Sequence, residues 1–264
     1  MAGIDDQRVI YLKHQENRGV NAARNTGSAA ARSRYVIFLD SDDELASGAL
    51  KPALAILDKT DASIGVALFA CLMAQSGKPV TSFPDGRVLG EYEIVCEEGL
   101  RVGGDMICLY RREVLEQFSL PEQLRGCEQV FIFEISKKYL FLMVDEPLSI
   151  VHRQEDNLSG ADSVIARSAD IASSYEMLLK NHADILSRYP QARAKWQTRA
   201  MYRYGVAGSR RDVWRTYRRQ SGVRQPYGRR LLTTGLMAFC MLGPAPFERW
   251  RINRLNRRLD FVQK

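Results

Sequence analysis

Three carboxylates fall within four positions at Asp40-Ser41-Asp42-Asp43, directly after the apolar run Tyr35-Val36-Ile37-Phe38-Leu39. Like charges that close raise one another's pKa, so such a cluster at the end of a buried strand calls for a counter-charge. Oxygen ligands at i and i+2 suit Mg2+ or Mn2+, hard cations that share their coordination shell with phosphate oxygens. A solvated loop capping the next helix, with Asp43 or Ser47 as N-cap, is the plainer reading of the same residues. The motif alone leaves both open.

The preceding segment narrows the choice. Asn17 to Gly27 spells N-x-G-x-x-x-A-R-N-x-G and runs into the small-residue stretch Ser28–Arg32, then the strand and D-S-D-D. This succession resembles the family 2 glycosyltransferases of the GT-A fold. The resemblance implies that Asp40 and Asp42 form a D-x-D element. They would hold Mn2+ or Mg2+ across the two phosphates of a nucleotide-sugar, with Asp40 also touching that substrate. It also sets Arg24 close to the nucleotide. A solvated helix arginine without a role is the alternative for Arg24.

Further matches follow downstream. Gly103-Gly104-Asp105, then Met106 to Leu115, resembles the family's second central stretch, in which Asp105 would contact the sugar; a plain turn carboxylate fits equally. Gly126-Cys127-Glu128-Gln129 ahead of Val130–Tyr139 resembles the family's G-E-D element. Counting back from Lys137-Lys138-Tyr139 sets Glu128 on the position of the catalytic base, where a carboxylate takes the proton of the attacking hydroxyl. Cys127 replaces the acidic neighbour, and the alternative for Glu128 is a carboxylate favoured by the helix dipole. Val151 to Ser159 resembles the family's closing segment, with His152 and Arg153 facing the diphosphate leaving group.

These residues need elements to carry them. The pattern predicts a strand over 7–13 and a helix over 20–32 whose small residues Ala23, Gly27 and Ala30 press against the sheet. Tyr35–Leu39 reads as a strand buried on both faces, as in a parallel sheet. A helix is expected over 47–59 on Leu50, Leu54 and Leu57, then a buried strand over 62–74. Hairpin and loop follow over 76–100, then strands near 106 and 141–148. The family's opening strand-helix-strand unit, roughly 30 residues, does not precede this point, so the resemblance implies a chain shortened at its amino terminus.

At 264 residues, with 45% hydrophobic and 26% charged residues, the chain is ordinary for a globular protein. The polar, acidic start reads as no signal peptide. Five cysteines without C-x-x-C spacing predict buried free thiols in a reducing compartment. The net charge of +7 conceals a split. Residues 1–192 carry 20 Lys/Arg against 28 Asp/Glu, and residues 193–264 carry 18 against 3. From 161 onward the pattern is helical, with a long helix ending before Pro190 and Arg-rich helices over 193–220. The apolar stretch Leu231–Gly243, flanked by arginines, is too short to span a bilayer and suits an interfacial contact with anionic lipid. A helical appendage with a solvated basic face is the alternative.

The sequence therefore predicts an α/β, GT-A-like (Rossmann-like) fold with a mixed, mainly parallel sheet. The resemblance implies a truncated GT-A glycosyltransferase domain over residues 1–160, followed by a helical, Arg-rich region over 161–264. The implied function is inverting transfer from a nucleotide-diphosphate sugar to a hydroxyl acceptor, a lipid-linked saccharide among the acceptors considered, for cell-surface polysaccharide. The implied location is cytoplasmic, peripheral on the inner face of the membrane, with no nucleic acid as partner. A catalytically inactive relative kept as a binding or membrane-associated module remains open from sequence alone.

Overall fold

A computed structural model describes residues 6–80, 82, 84–97, 105–124, 128–152, 161–221 and 227–261. The elements, in order, are α1 (Val20–Ala30), β1 (Tyr35–Ile37), β2 (Glu44–Leu45), α2 (Leu50–Asp58), β3 (Ile64–Met73), β4 (Val88–Leu89), a π-helical turn (Glu93–Glu97), β5 (Met106–Arg111), α3 (Arg112–Gln117), α4 (Gln129–Ser136) and β6 (Leu140–Val151). Helices α5 (Ala161–Ala166), α6 (Ser168–Asn181), α7 (Ala183–Arg188), α8 (Pro190–Val206), α9 (Arg210–Ser221), α10 (Tyr227–Met241) and α11 (Ala245–Phe261) follow.

The sheet runs β1-β5-β3-β6-β2, with β4 also on β6. The central strand β3 is apolar throughout and serves both faces. Val66, Leu68 and Ala70 join one core with Phe131, Phe133, Leu178 and Trp196, whereas Ala67, Phe69 and Cys71 join the other with Ala53 and Leu57 of α2. That division is the period of two of a strand. Each fully buried Leu or Phe contributes about 1.5–3 kcal/mol, so the two cores hold α2 and α4 on opposite faces.

The sheet is mixed and flanked by helices, as expected, but it is not mainly parallel. Only β3 with β6 is parallel among the described pairs; β1–β5, β3–β5, β2–β6 and β4–β6 are antiparallel. Tyr35–Leu39, expected to be buried on both faces, gives the half-buried β1 at the end of the strand order with Leu39 exposed; an apolar run does not report the direction of its neighbours. Two closing features are local. Gly65 sits against the Tyr139 ring, where a Cβ would come within 2.7 Å. Arg111, 5% exposed, donates from Nε to Ile64 O at 2.8 Å and from Nη2 to Leu57 O at 2.8 Å and Thr60 O at 3.2 Å. It thereby ties the end of α2 to the sheet.

Three further expectations are corrected. Residues 7–13 form no strand: among the described residues none pairs with them, and Val9, Ile10, Tyr11 and Leu12 are exposed. A β-rich segment needs a ladder partner before it is a strand. The buried face of α1 is Asn21 and Ala22, not Ala23 and Gly27, and a Cβ on Gly27 would meet nothing within 4 Å. The asparagines find backbone partners on a neighbouring loop, which makes their burial affordable. The helix expected to run to Pro190 is broken at His182, whose backbone (φ −114°, ψ 31°) separates α6 from α7.

All described elements from Ala161 on are helices. Leu178, Ile185, Leu186 and Trp196 share the core of α4, and α8, α9 and α10 form a second cluster around Met201, Tyr204, Val213 and Cys240. No helix among the described residues is long and apolar enough to cross a membrane.

Candidate active site

The Asn/Gly motif before α1 is a positioning device. Asn17 Oδ1 accepts from Gly19 N–H at 2.9 Å, and Gly19 takes φ +87° as the chain turns into the helix. That left-handed backbone suits glycine. Asn21 Nδ2 donates to Pro121 O at 2.9 Å and Leu124 O at 2.8 Å. Asn25 Nδ2 donates to Leu120 O at 2.9 Å, and its Oδ1 accepts from Leu120 N–H at 2.9 Å. These bonds fasten α1 to the 120–124 segment that leads toward Glu128.

Arg24 is aimed by this lacing. Its Nη1 lies 2.5 Å from Glu128 Oε1 and its Nη2 2.9 Å from Asp40 Oδ1. The guanidinium is largely covered, 5.6 Å above the Phe38 ring, while both carboxylates are more than half exposed. Burial pushes the Arg24 pKa down, but Glu128 and Asp40 outweigh it and hold it above its ordinary value. One fixed cation thus joins the end of the strand β1 segment to the start of α4.

Glu128 is the N-cap residue of α4. Its carbonyl accepts from Ile132 N–H at 2.9 Å, but its side chain makes no cap bond. The carboxylate is directed to Arg24 instead, so capping does not account for it.

A cavity of about 300 Å3 opens here, lined by Arg24, Asp40, Asp43, Asp105 and Glu128 over a floor that includes Phe38, Tyr110 and Phe131. Asp42 is exposed and is not part of the lining. In an extended strand i and i+2 share a face, but here Asp43 N–H donates to Asp40 O at 3.1 Å. The chain turns after Asp40, and i and i+3 come together. Asp43, read from the sequence only as an N-cap candidate, lines the cavity beside Asp40; the turn-forming D-S-D-D itself was the available signal. Burial pushes the Asp43 carboxyl up. The His152 backbone N–H, 3.2 Å from its Oδ1, opposes this, and Asp42, Asp40 and Asp105 push it further up.

His152 contributes its backbone to this cluster. Its ring Nε2 is 2.9 Å from Glu44 Oε1 and outside the cavity lining. Arg153, Gly103, Gly104 and Cys127 lie outside the described residues. Cys71 and Cys108 line the cavity, and burial pushes their thiols up to about 11 and about 12. Thiolate nucleophilic chemistry is thereby disfavoured at neutral pH.

Among the described residues no group of three or more His, Cys, Asp or Glu converges as a ready-made metal cage. Mg2+ and Mn2+ do not require one, since they are commonly held by one or two carboxylates completed by phosphates and water. Asp40 and Asp43, with Asp105 nearby, supply hard oxygen donors whose mutual repulsion favours a cation. The donor set fits.

Residues 2–118 match the model of glycosyl transferase family 2. The chain is 27% identical over 140 residues to a GalNAc(5)-diNAcBac-PP-undecaprenol beta-1,3-glucosyltransferase of Campylobacter jejuni, covering 52% of this chain and 44% of that one. It is 39% identical over 66 residues to the succinoglycan biosynthesis protein ExoO of Rhizobium meliloti, 25% of this chain and 19% of that one. The chain thus spans less than half the length of these curated relatives. The crystal structure of S. aureus TarS 1–349 aligns over 81% of this chain and 74% of that one, at 17% identity and a TM-score of 0.44.

Proposed function

We propose that the chain, whose residues 2–118 match the model of glycosyl transferase family 2, transfers a sugar, with inversion, from a nucleotide-diphosphate donor to a hydroxyl acceptor. The observation that carries this reading is the Asp40–Arg24–Glu128 cluster at the cavity that Asp43 and Asp105 also line.

The roles divide by charge. Asp40 and Asp43, with Asp42 beside them on the turn, would hold Mn2+ or Mg2+. The ion supplies electrostatic stabilisation of the departing diphosphate when bound. Arg24 is a fixed donor next to the same region and needs no reorganisation as negative charge develops there. Glu128, on the opposite side of Arg24, accepts the proton of the acceptor hydroxyl as its oxygen attacks the anomeric carbon. Asp105 lies at the cavity wall, where a carboxylate can accept hydrogen bonds from sugar hydroxyls.

The acceptor side points to a lipid surface. The C. jejuni relative is named for a saccharide on PP-undecaprenol, and we extend that class of acceptor, a lipid-linked saccharide, to this chain. Phe239, Leu242, Phe247 and Trp250 are exposed around the turn between α10 and α11. Arg254 lies 5.1 Å over the Trp250 ring, and 18 Lys/Arg stand against 3 Asp/Glu over 193–264. Apolar rings among arginines favour peripheral association with the anionic face of a membrane.

Calorimetry with UDP and other nucleoside diphosphates, with and without Mn2+, tests the donor site. Metal-dependent binding that Asp40→Asn abolishes supports it. Absence of such binding in the folded chain ends the claim that this polypeptide is a transferase.

A further inference from the structure

Three aromatic rings stand in a row along the carboxylate-bearing cavity. Phe38, Tyr110 and Phe131 all line it. The centroids of Phe38 and Tyr110 are 5.5 Å apart, and those of Tyr110 and Phe131 6.1 Å apart, both pairs tilted. Both spacings lie in the range where aromatic pairs attract, about 4.5–7 Å. Tyr110 and Phe131 are 5% and 2% exposed, too covered to offer a face to a ligand. Phe38, half-buried, is the ring at the end of the row.

The attachment points of the rings give the row its meaning. Phe38 stands two residues before Asp40, just after β1. Phe131 stands three residues after Glu128, almost one turn into α4. Tyr110 lies on β5, opposite Val36 of β1, and β5 is itself paired with the central strand β3. The segments that carry Asp40 and Glu128 are therefore connected twice, once through the Arg24 guanidinium and once through the rings. Phe38 joins the two connections, since Arg24 Cζ lies 5.6 Å over its ring.

The ion pairs alone do not hold Arg24 still. Both carboxylates are more than half exposed, and such pairs exchange with water at little cost. A flat aromatic face against the guanidinium excludes water from one side and favours a stacked orientation.

We propose that Phe38 is a positioning residue of the transfer reaction. Its ring, anchored to the sheet and α4 through Tyr110 and Phe131, holds Arg24 in the orientation that reaches both Asp40 and Glu128. The proposal deepens the transferase reading and rests on it for what the positioning serves.

Phe38→Leu and Phe38→Met remove the flat face, and methionine keeps the packing adaptable should leucine fail to fold. Phe38→Tyr keeps the ring. The first readout needs no activity: phenylglyoxal modification of Arg24 in the full chain, followed by peptide mass spectrometry, with exposed Arg188 as internal reference. Arg24 should react several-fold faster in the Leu and Met variants, Arg188 should not change, and Phe38→Tyr should match the parent. The second readout is kinetic. Turnover should fall about 10–100-fold in the Leu and Met variants, the scale of a small misplacement near the chemistry. The KM for the donor should stay as it is, and Phe38→Tyr should restore turnover. In an Arg24→Ala background Phe38→Leu should cost little more, because the two act as one unit.

Arg24 reactivity equal in the parent and in the Leu and Met variants overturns the proposal. So does unchanged turnover in those variants, a loss that Phe38→Tyr shares, or one that adds in full to that of Arg24→Ala. A parent without turnover, in which Arg24 reactivity still rises as stated, would retain the positioning of Arg24 and sink the transferase reading alone.

Discussion

Arg24 and Glu128 are 104 positions apart and meet at 2.5 Å, Nη1 to Oε1. The other arm of the same guanidinium reaches Asp40. Two carboxylates from different parts of the chain, Asp40 after β1 and Glu128 at the head of α4, are thus bridged by one cation that belongs to neither element.

Removing that cation separates catalysis from folding. Arg24→Ala should lower transfer turnover by about 10²–10³-fold, the range for a lost preorganised charge donor. Its partners are largely solvated, so the stability cost should stay within about 1 kcal/mol. Turnover assays and urea denaturation on the same preparation check both. Unchanged turnover would reduce Arg24 to a structural tie.

Glu128→Gln should leave metal-dependent nucleotide affinity as it is and cut turnover by about 10²–10⁴-fold, since the amide cannot take a proton. Glu128→Asp should recover part of the loss. A Gln variant that turns over normally would remove Glu128 as base.

The turn at Asp40 predicts an order among the aspartates. Asp43→Asn and Asp40→Asn should each abolish Mn2+-dependent nucleotide binding, and Asp42→Asn should weaken it less. The folded chain keeps the Asp43 proton to a higher pH than the unfolded chain does. Asp43 therefore favours folding below its unfolded pKa, and that contribution is lost as pH rises through the folded value. Without metal, Asp43→Asn should accordingly raise Tm at pH 7, with the gain shrinking toward acid. A lower Tm at pH 7 would contradict the site's electrostatics.

His182 gives stability the opposite sign. Its Nε2–H donates to Val130 O at 3.0 Å at the start of α4, and it is 1% exposed. Burial pushes its pKa down; Glu134 and Asp184 push it up and Lys137 pushes it down. The neutral ring is the folded form, so its contribution is full above the unfolded value, about 6.5. It falls as pH drops from there toward the folded pKa. Thermal melts from pH 7.5 to 5 should show a decline that His182→Gln flattens. Parallel curves would exclude the imidazole as its cause.

Arg111→Leu leaves the carbonyls of Leu57, Thr60 and Ile64 without their buried donor. Each such group costs about 1–3 kcal/mol, so the urea midpoint should fall by an amount equivalent to at least 2 kcal/mol. Arg111→Lys should recover only part, since one ammonium cannot reproduce the planar fork. A loss below 1 kcal/mol would mean that water replaces the guanidinium.

Local signals carried much of this in the sequence. The ten-residue apolar run gave β3, and the spacing to Lys137-Lys138-Tyr139 located Glu128 at the head of α4. What could not be read required knowledge of distant partners. Residues 7–13 have strand composition but no ladder neighbour among the described residues. Asn21 and Asn25 look like poor core residues until the carbonyls of residues 120–124 are in place. The choice between Asp42 and Asp43 depends on a single turn hydrogen bond, and the antiparallel directions leave no trace in an apolar run.

Helix α4 is a party wall. It is eight residues long, six of them buried, and it lines the carboxylate-bearing cavity with Phe131 and, with Gln129, Ile132 and Phe133, a cavity of about 460 Å3 on its other side. Side chains on a helix this short cannot be resized on one side without shifting the backbone that carries the other. The two sides are therefore bound to drift together in evolution: a lineage that adapts one cavity to a bulkier molecule must retune the other within the same few substitutions.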